Sequence, residues 1–324
     1  MKGLFVLDPD SYQNIYPPAV RDEIGRLVEI YAPVQSAESV QENPLILQEA
    51  DVILSGWGCP VLDRRLLSFA PKLKAVFYGA GSIKYLVTDE FWQRGILITS
   101  AYAANAIPVV EFTLSQILFA LKAGWQHATL YRCERTYVRL PVPSGYGATV
   151  GLLSLGMIGR MVAEWLASFN LKILAYDPYV HHYPGVEMVE LDDLFHRANV
   201  VSVHTPWLKQ TEGLVTGRHL AMLKPYSTFI NTSRGAVVRE QEMIDVLIQR
   251  PDLVAVLDVT HPEPPLPDSP LYTLPNVVLT PHIAGSIGPE CARMGEYMLA
   301  ELRRYLSGQL LEYGITRERL ATMA

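Results

Sequence analysis

Residues Val150 to Arg160 read "VGLLSLGMIGR", an apolar run that breaks at Ser154, Gly156 and Gly159 and then resumes with helical spacing. The three positions carry the G-x-G-x-x-G interval of a turn that passes from a strand into a helix, with serine in place of the first glycine. In such a turn the second glycine lets the backbone approach a pyrophosphate, and the third lets the helix pack closely on the strand. The first N–H groups of the helix then face the anion. Serine at the first position costs about 1 kcal/mol if φ there must be positive, and little otherwise. Met157 and Ile158 still present their N–H groups as the motif requires.

The following run, "LKILAYD", ends in Asp177, about twenty residues past Gly156, the interval at which an acidic side chain meets the adenosine ribose. A carboxylate there accepts both ribose hydroxyls and repels a 2′-phosphate. Gly156, Met157, Ile158, Gly159 and Asp177 are therefore the candidate dinucleotide-binding residues, and NAD is favoured over NADP. Asp177 also opens "DPY", which is a turn sequence in its own right.

Outward from this stretch the alternation repeats in both directions. Upstream, "GLFVLD", "ADVILSG", "KAVFYGAG" and "ILITSA" are short apolar runs separated by amphipathic segments. Downstream come "NVVSVHTP", "STFINTSR", "LVAVLDV" and "NVVLTPHI". Short strands separated by helices need crossover connections, so the pattern predicts an α/β chain with two units, each built on a mainly parallel sheet. A helix over "AIPVVEFTLSQILFALKAGW" opens the second unit near Asn105, and a long irregular piece follows it. "GPECARMGEYMLAELRRYLSGQ" reads as one amphipathic helix ended by Gly308, with no strand after it. The Pro-rich "HPEPPLPDSPLYTLP" lies between two strands and reads as a rigid loop rather than a linker.

At 324 residues, with 49% hydrophobic and 19% charged residues, the chain has the balance of an ordered globular protein of two domains. Its net charge of −6 and lack of a basic run exclude a phosphate-backbone footprint, so no nucleic acid is expected. Cys59, Cys133 and Cys291 are odd in number and far apart, which disfavours a disulfide framework and a metal site and suits a reducing cytoplasm. "MKGLFVLDPD" holds too short an apolar run for a signal peptide, and "VVEFTLSQILFALKAGW" carries Glu111 and Lys122 in a span short for a bilayer. A cytoplasmic protein without a membrane partner is expected. The adjacent His181 and His182 lack a ligand motif and read as a surface turn.

Three strand ends carry groups able to do chemistry: Arg234 in "NTSRGAVV", Asp258 and Glu263 in "LDVTHPEPP", and His282 in "LTPHIAGS". The carboxyl ends of parallel strands are where such sheets present ligands. His204, in "VHTP", has no carboxylate partner suggested by the sequence and is not read as a proton donor.

The stretches "VVSVHTPWLKQTEGLV", "MLKPYSTFINTSRGAVV" and "LDVTHPEPPLPDSPLYTLPNVVLTPHIAG", in this order and spacing, resemble the NAD-dependent D-isomer-specific 2-hydroxyacid dehydrogenases. A looser likeness runs through "FYGAGSIKYLV", "RGILITSAYAANAIPVVEF" and the chain-end helix. The resemblance implies two Rossmann-like or flavodoxin-like domains with a cleft between them. It implies a discontinuous substrate domain of residues 1–104 and 287–324 and a dinucleotide domain of residues 105–286. It assigns Arg234 to the substrate carboxylate and C2 oxygen, His282 to acid/base exchange, and Glu263 to orienting that histidine. It also assigns Asp258 to the nicotinamide carboxamide, Thr205 and Thr232 to the approach to the cofactor, and the backbone of Gly79, Ala80 and Gly81 to the substrate carboxylate. The implied activity is hydride transfer between NAD(H) and a 2-keto or D-2-hydroxy acid, in a homodimer. The alternative is a dinucleotide-sensing, corepressor-like scaffold on the same fold. Ser154 and Met157, the latter where many members carry arginine, depart from the family pattern, whereas Glu263 separates the chain from a formate-oxidising branch with glutamine there.

Overall fold

The computed structural model describes residues 1–323. They divide into two units, Met1–Ala106 with Ser286–Met323, and Ile107–Gly285.

The first unit holds β1 (Lys2–Val6), β2 (Glu29–Ile30), β3 (Val52–Ser55), β4 (Ala75–Tyr78) and β5 (Leu97–Ser100), parallel throughout and ordered β2-β1-β3-β4-β5. Helices cover both faces, so the strands read as continuous apolar runs rather than half-polar ones. Leu4 and Val6 of β1 join one core with Ile53, Val76 and Ile98, while Phe5 joins the other with Leu54, Phe77 and Met298. The chain-end helix, Cys291–Leu306, supplies Cys291, Met294, Met298 and Leu302 to that second core, and Gly308 ends it at φ +68°.

The second unit holds β6 (Thr149–Leu153), β7 (Lys172–Tyr176), β8 (Glu187–Met188), β9 (Val200–Val203), β10 (Thr228–Asn231), β11 (Val254–Leu257) and β12 (Val277–Leu279). All are parallel, in the order β12-β11-β10-β9-β6-β7-β8. The chain runs from β6 outward to β8 on one side and returns to β9 on the other. The carboxyl ends of β6 and β9 therefore form a topological switch point, where open α/β sheets take their ligands.

The α/β architecture with parallel sheets is as the pattern predicted, and ten of these strands coincide with the apolar runs. β2 and β8 did not show in the sequence because two residues are too few to establish a period. Two helical details differ. The helix Tyr102–Ala120 begins before Asn105 and carries Pro108 inside it, and by length and composition it could cross a membrane. Here Val110, Ile117 and Ala120 are buried in the core beside Val150 and Leu152. The helix Gly124–Glu134 occupies the start of the piece read as irregular, since its apolar residues Trp125, Leu130 and Tyr131 do not form one stripe.

Candidate active site

At the end of β6 the turn has the geometry of its motif despite the serine. Ser154 sits at φ +78°, the left-handed region that a glycine would enter without strain. Three hydrogen bonds hold the turn there. Ser154 Oγ pairs with Thr205 Oγ1 at 2.8 Å, across the switch point from the end of β9. The Leu155 N–H donates to Asp177 Oδ2 at 2.8 Å, and the Leu155 carbonyl accepts from Arg160 Nε at 2.7 Å. A Cβ on Gly159 would stand 2.1 Å from the Ser154 carbonyl oxygen, so the third glycine is what allows the helix Met157–Leu166 to start this close to the strand.

No side chain caps that helix, which leaves its first N–H groups to an outside acceptor. In front of it lies an open hollow of about 390 Å³ lined by Leu155, Gly156, Met157, Arg160 and Met161. Beside Gly159 stands His204, whose Nε2 is buried and has no hydrogen-bond partner. Burial holds its pKa down at about 4, so the ring is neutral at ordinary pH and unsuited to proton exchange. An uncapped helix start, a close glycine and a buried ring nitrogen awaiting a partner together fit a dinucleotide.

The second cluster lies at the ends of β10, β11 and β12. Arg234 follows β10 and is partly buried, with Nη1 donating to the Ser233 carbonyl at 2.6 Å. Burial pushes the guanidinium pKa down and the charge of Glu263 pushes it back up. A Cβ on Gly235 would fall 2.0 Å from the carbonyl carbon of Thr260, so this glycine lets the loop after β10 lie against the loop that carries Glu263. His282 Nδ1 meets Glu263 Oε1 at 2.6 Å, and both side chains are open to solvent. That contact leaves Nε2 of His282 as the nitrogen able to reach a ligand. The histidine itself is in the left-handed region at φ +54°.

Asp258 explains how His282 is held. Its buried carboxylate accepts from Thr280 Oγ1 at 2.6 Å and from the N–H groups of Ile283 and Ala284, each at 2.8 Å, while its carbonyl accepts the His282 N–H at 3.0 Å.

Three side chains read as cofactor contacts already have partners within the chain. Asp258 holds the loop from Thr280 to Ala284, Thr205 pairs with Ser154, and Thr232 with Thr113 Oγ1 at 3.0 Å; all three are buried. Each sits at a strand end where neighbouring loops bring donors that need a partner, and this demand is invisible in sequence. Asp177 is engaged in the same way, its Oδ1 accepting from Tyr179 and Val180 N–H in the "DPY" turn. Arg160 was missed altogether. Its place four residues after Gly156, one helical turn on, is the signal that could have marked it.

In the first unit, Gly79, Ala80 and Gly81 follow β4. The Ala80 carbonyl accepts Ser100 Oγ at 2.8 Å and the Gly81 carbonyl accepts the same hydroxyl. Trp57 is 37% exposed and Tyr78 is buried, its hydroxyl bonded to that of Tyr85. Cys59, Cys133 and Cys291 are unpaired, and burial pushes the Cys59 thiol up to about 12. Among the described residues no group of three His, Cys, Asp or Glu side chains is placed to hold a metal ion.

A Rossmann-ordered sheet with this turn at its switch point, and a paired histidine and glutamate at its strand ends, defines an α/β protein of the dinucleotide-binding class. Residues 116–284 match the family model described as D-isomer specific 2-hydroxyacid dehydrogenase, NAD binding domain. A D-3-phosphoglycerate dehydrogenase of Mycobacterium bovis is 34% identical over 269 residues, 81% of this chain and 50% of that protein. A glyoxylate reductase of Thermofilum pendens is 31% identical over 259 residues, 77% of this chain and 76% of that protein. The NAD-complexed D-isomer specific 2-hydroxyacid dehydrogenase of Lactobacillus delbrueckii ssp. bulgaricus shares the fold, with a TM-score of 0.80 at 20% identity over 98% of this chain and 100% of that one. The chain belongs to the D-isomer specific 2-hydroxyacid dehydrogenase family. It spans about half the length of the curated phosphoglycerate dehydrogenases it matches.

Proposed function

We propose that the protein is an oxidoreductase that moves hydride between NAD(H) and a 2-keto or D-2-hydroxy acid. The observation that carries this reading is the 2.6 Å contact between His282 Nδ1 and Glu263 Oε1, beside a strand end that presents Arg234. NADH, when bound, supplies the hydride for the C2 carbon of the acid.

The remaining chemistry belongs to the chain. Arg234 remains protonated through its partial burial, and its fork of donors suits a planar carboxylate and the adjacent C2 oxygen. His282 gives a proton from Nε2 to that oxygen during reduction and takes one from the hydroxyl during oxidation. Glu263, by holding Nδ1, fixes the ring and its tautomer and balances the charge the ring gains and loses. In the loop Gly79, Ala80 and Gly81 the first N–H already donates to the Ser55 carbonyl at 2.7 Å, so the N–H groups of Ala80 and Gly81 are the ones offered to the substrate carboxylate.

The helix start at Met157, the close approach at Gly159 and the unpartnered His204 Nε2 would hold the dinucleotide phosphates and sugar. Asp177 supports NAD over NADP, because its carboxylate is fixed by three N–H donors at the edge where a 2′-phosphate would add a second anion. The same reading makes the protein a cytoplasmic homodimer that acts on a small-molecule acid, without nucleic-acid or membrane partners.

The test is NADH oxidation, followed by absorbance, with glyoxylate, hydroxypyruvate, pyruvate, phenylpyruvate and 2-ketoisocaproate, and with NADPH in parallel. Turnover with one of these acids and a faster rate with NADH are expected. NADH binding without turnover on any 2-keto acid would overturn the catalytic reading, and equal rates with NADPH would overturn the part assigned to Asp177.

A further inference from the structure

The hollow in front of the helix Met157–Leu166 has the uncharged Met157 at the first helical position, yet it is not without a cation. Arg160 lies on its wall, one turn into the helix, and its side chain runs back toward the strand so that Nε donates to the Leu155 carbonyl at 2.7 Å. The face of the Tyr183 ring supports the guanidinium, 5.5 Å from its centroid. The carboxylate one turn further on, Glu164, accepts the Tyr183 hydroxyl at 2.6 Å. Asp177, the other acid beside the turn, has both oxygens engaged by backbone N–H groups. The guanidinium is therefore fixed in place through Nε and the ring, while its two Nη groups donate to no partner among the described residues and face an exposed surface. Fixed cations with free donors beside an uncapped helix start are the arrangement that phosphate groups select. His204, whose Cβ stands beside Gly159, has a buried Nε2 without a partner, a second and independent sign of a ligand at this turn.

We infer that Arg160 binds the dinucleotide's pyrophosphate and supplies the charge that Met157 omits. The inference rests on the NAD-binding reading above and deepens it. Arginine four residues after the second glycine reaches the same anion from one helical turn away, because side chains on a helix lean toward its N-terminus. It also secures the Leu155 carbonyl, so the turn that lost its first glycine gains a tether from the residue that replaces the missing cation.

The experiment measures dissociation constants by quenching of protein fluorescence for NADH, ADP, adenosine and NADPH, on the full chain and on Arg160→Ala, at low and high salt. Loss of a charge-assisted contact should weaken NADH and ADP about tenfold at low salt and less at high salt, with adenosine unchanged. Adding Met157→Arg to Arg160→Ala should recover most of the loss. Equal weakening of adenosine would show that Arg160 acts through the Leu155 turn and would overturn the inference. So would an unchanged NADH constant, or a loss confined to NADPH, which would place the contact on the 2′-phosphate. A wild-type chain that bound no NADH would instead sink the NAD reading itself.

Discussion

Two loops of the second unit solve the same backbone problem for different reasons. At the end of β6, Ser154 stands at φ +78°; after β12, His282 stands at φ +54°. Neither is glycine, and each is held by an aspartate from a neighbouring strand end. Asp177 accepts the N–H after Ser154, and Asp258 accepts the two N–H groups after His282. The first strain is incidental, since glycine would relieve it and the residue does no chemistry. The second is obligatory, since only an imidazole at that point pairs with Glu263 and still offers Nε2. Strain kept at a position where the side chain is indispensable is the pattern of a working site.

The largest effect should therefore come from His282. His282→Ala is expected to lower kcat by about 10²- to 10⁴-fold, the range for removal of a general acid, while the NADH dissociation constant stays nearly unchanged. Steady-state kinetics and a binding titration on the same preparation check this. Equal loss of both would mean that the loop, and not the proton, had been removed, and the contrast between the two loops would collapse.

Next comes the aspartate beneath it. Asp258→Asn turns one oxygen into a donor among three donors, in a buried position, and is expected to cost about 3 kcal/mol of stability together with a fall in kcat. Chemical denaturation and kinetics report the two effects. If stability held and NADH affinity alone dropped, Asp258 would act on the cofactor and not on the loop, and the loop around His282 would owe its shape to something else.

These two loops also mark how far the sequence could be read. "VGLLSLGMIGR" discloses strand, turn and helix, because a short continuous apolar run gives way to helical spacing across two glycines. Arg234, Glu263 and His282 stand out because each ends a strand in a segment that resembles a known family. The inward direction of Asp258, Thr205 and Thr232 does not show, since it depends on which backbone donors fold back onto a strand end. Nor does the tether from Arg160, whose reach to Leu155 is a matter of rotamer. The helix Gly124–Glu134 escaped because it lacks an apolar stripe, and β2 and β8 because they are too short for any pattern.

The side of the fingerprint turn is also probed by acid. Burial keeps His204 at about 4, below its ordinary 6.5. The unfolded chain takes up a proton in this interval that the folded chain refuses, so stability falls as pH drops through it and levels off below. A loss of roughly 2 to 3 kcal/mol between about pH 6.5 and 4.5 is expected from this group. Denaturation of wild type and His204→Gln across the interval should show a shallower dependence in the variant. An identical slope would mean that the ring is hydrated, and Nε2 of His204 would no longer count as a buried atom without a partner.

The smallest effect decides whether the strain at Ser154 is incidental. Both Ser154→Gly and Ser154→Ala remove the hydroxyl from Thr205 Oγ1, which keeps a weaker contact to the Leu153 carbonyl at 3.3 Å. The lost bond is common to the two variants and cancels between them. What remains is the conformation: glycine enters φ +78° freely and alanine does not, so the glycine variant should be the more stable by about 1 kcal/mol. Glycine also loses more freedom on folding, which makes this difference a lower bound on the strain. Calorimetric unfolding of the two variants measures it. Equal stabilities would show that the strain is no larger than the freedom glycine loses, with the tethers from Asp177 and Arg160 holding the turn in either variant. The fingerprint would then be as rigidly imposed as the loop around His282, although its residue does no chemistry.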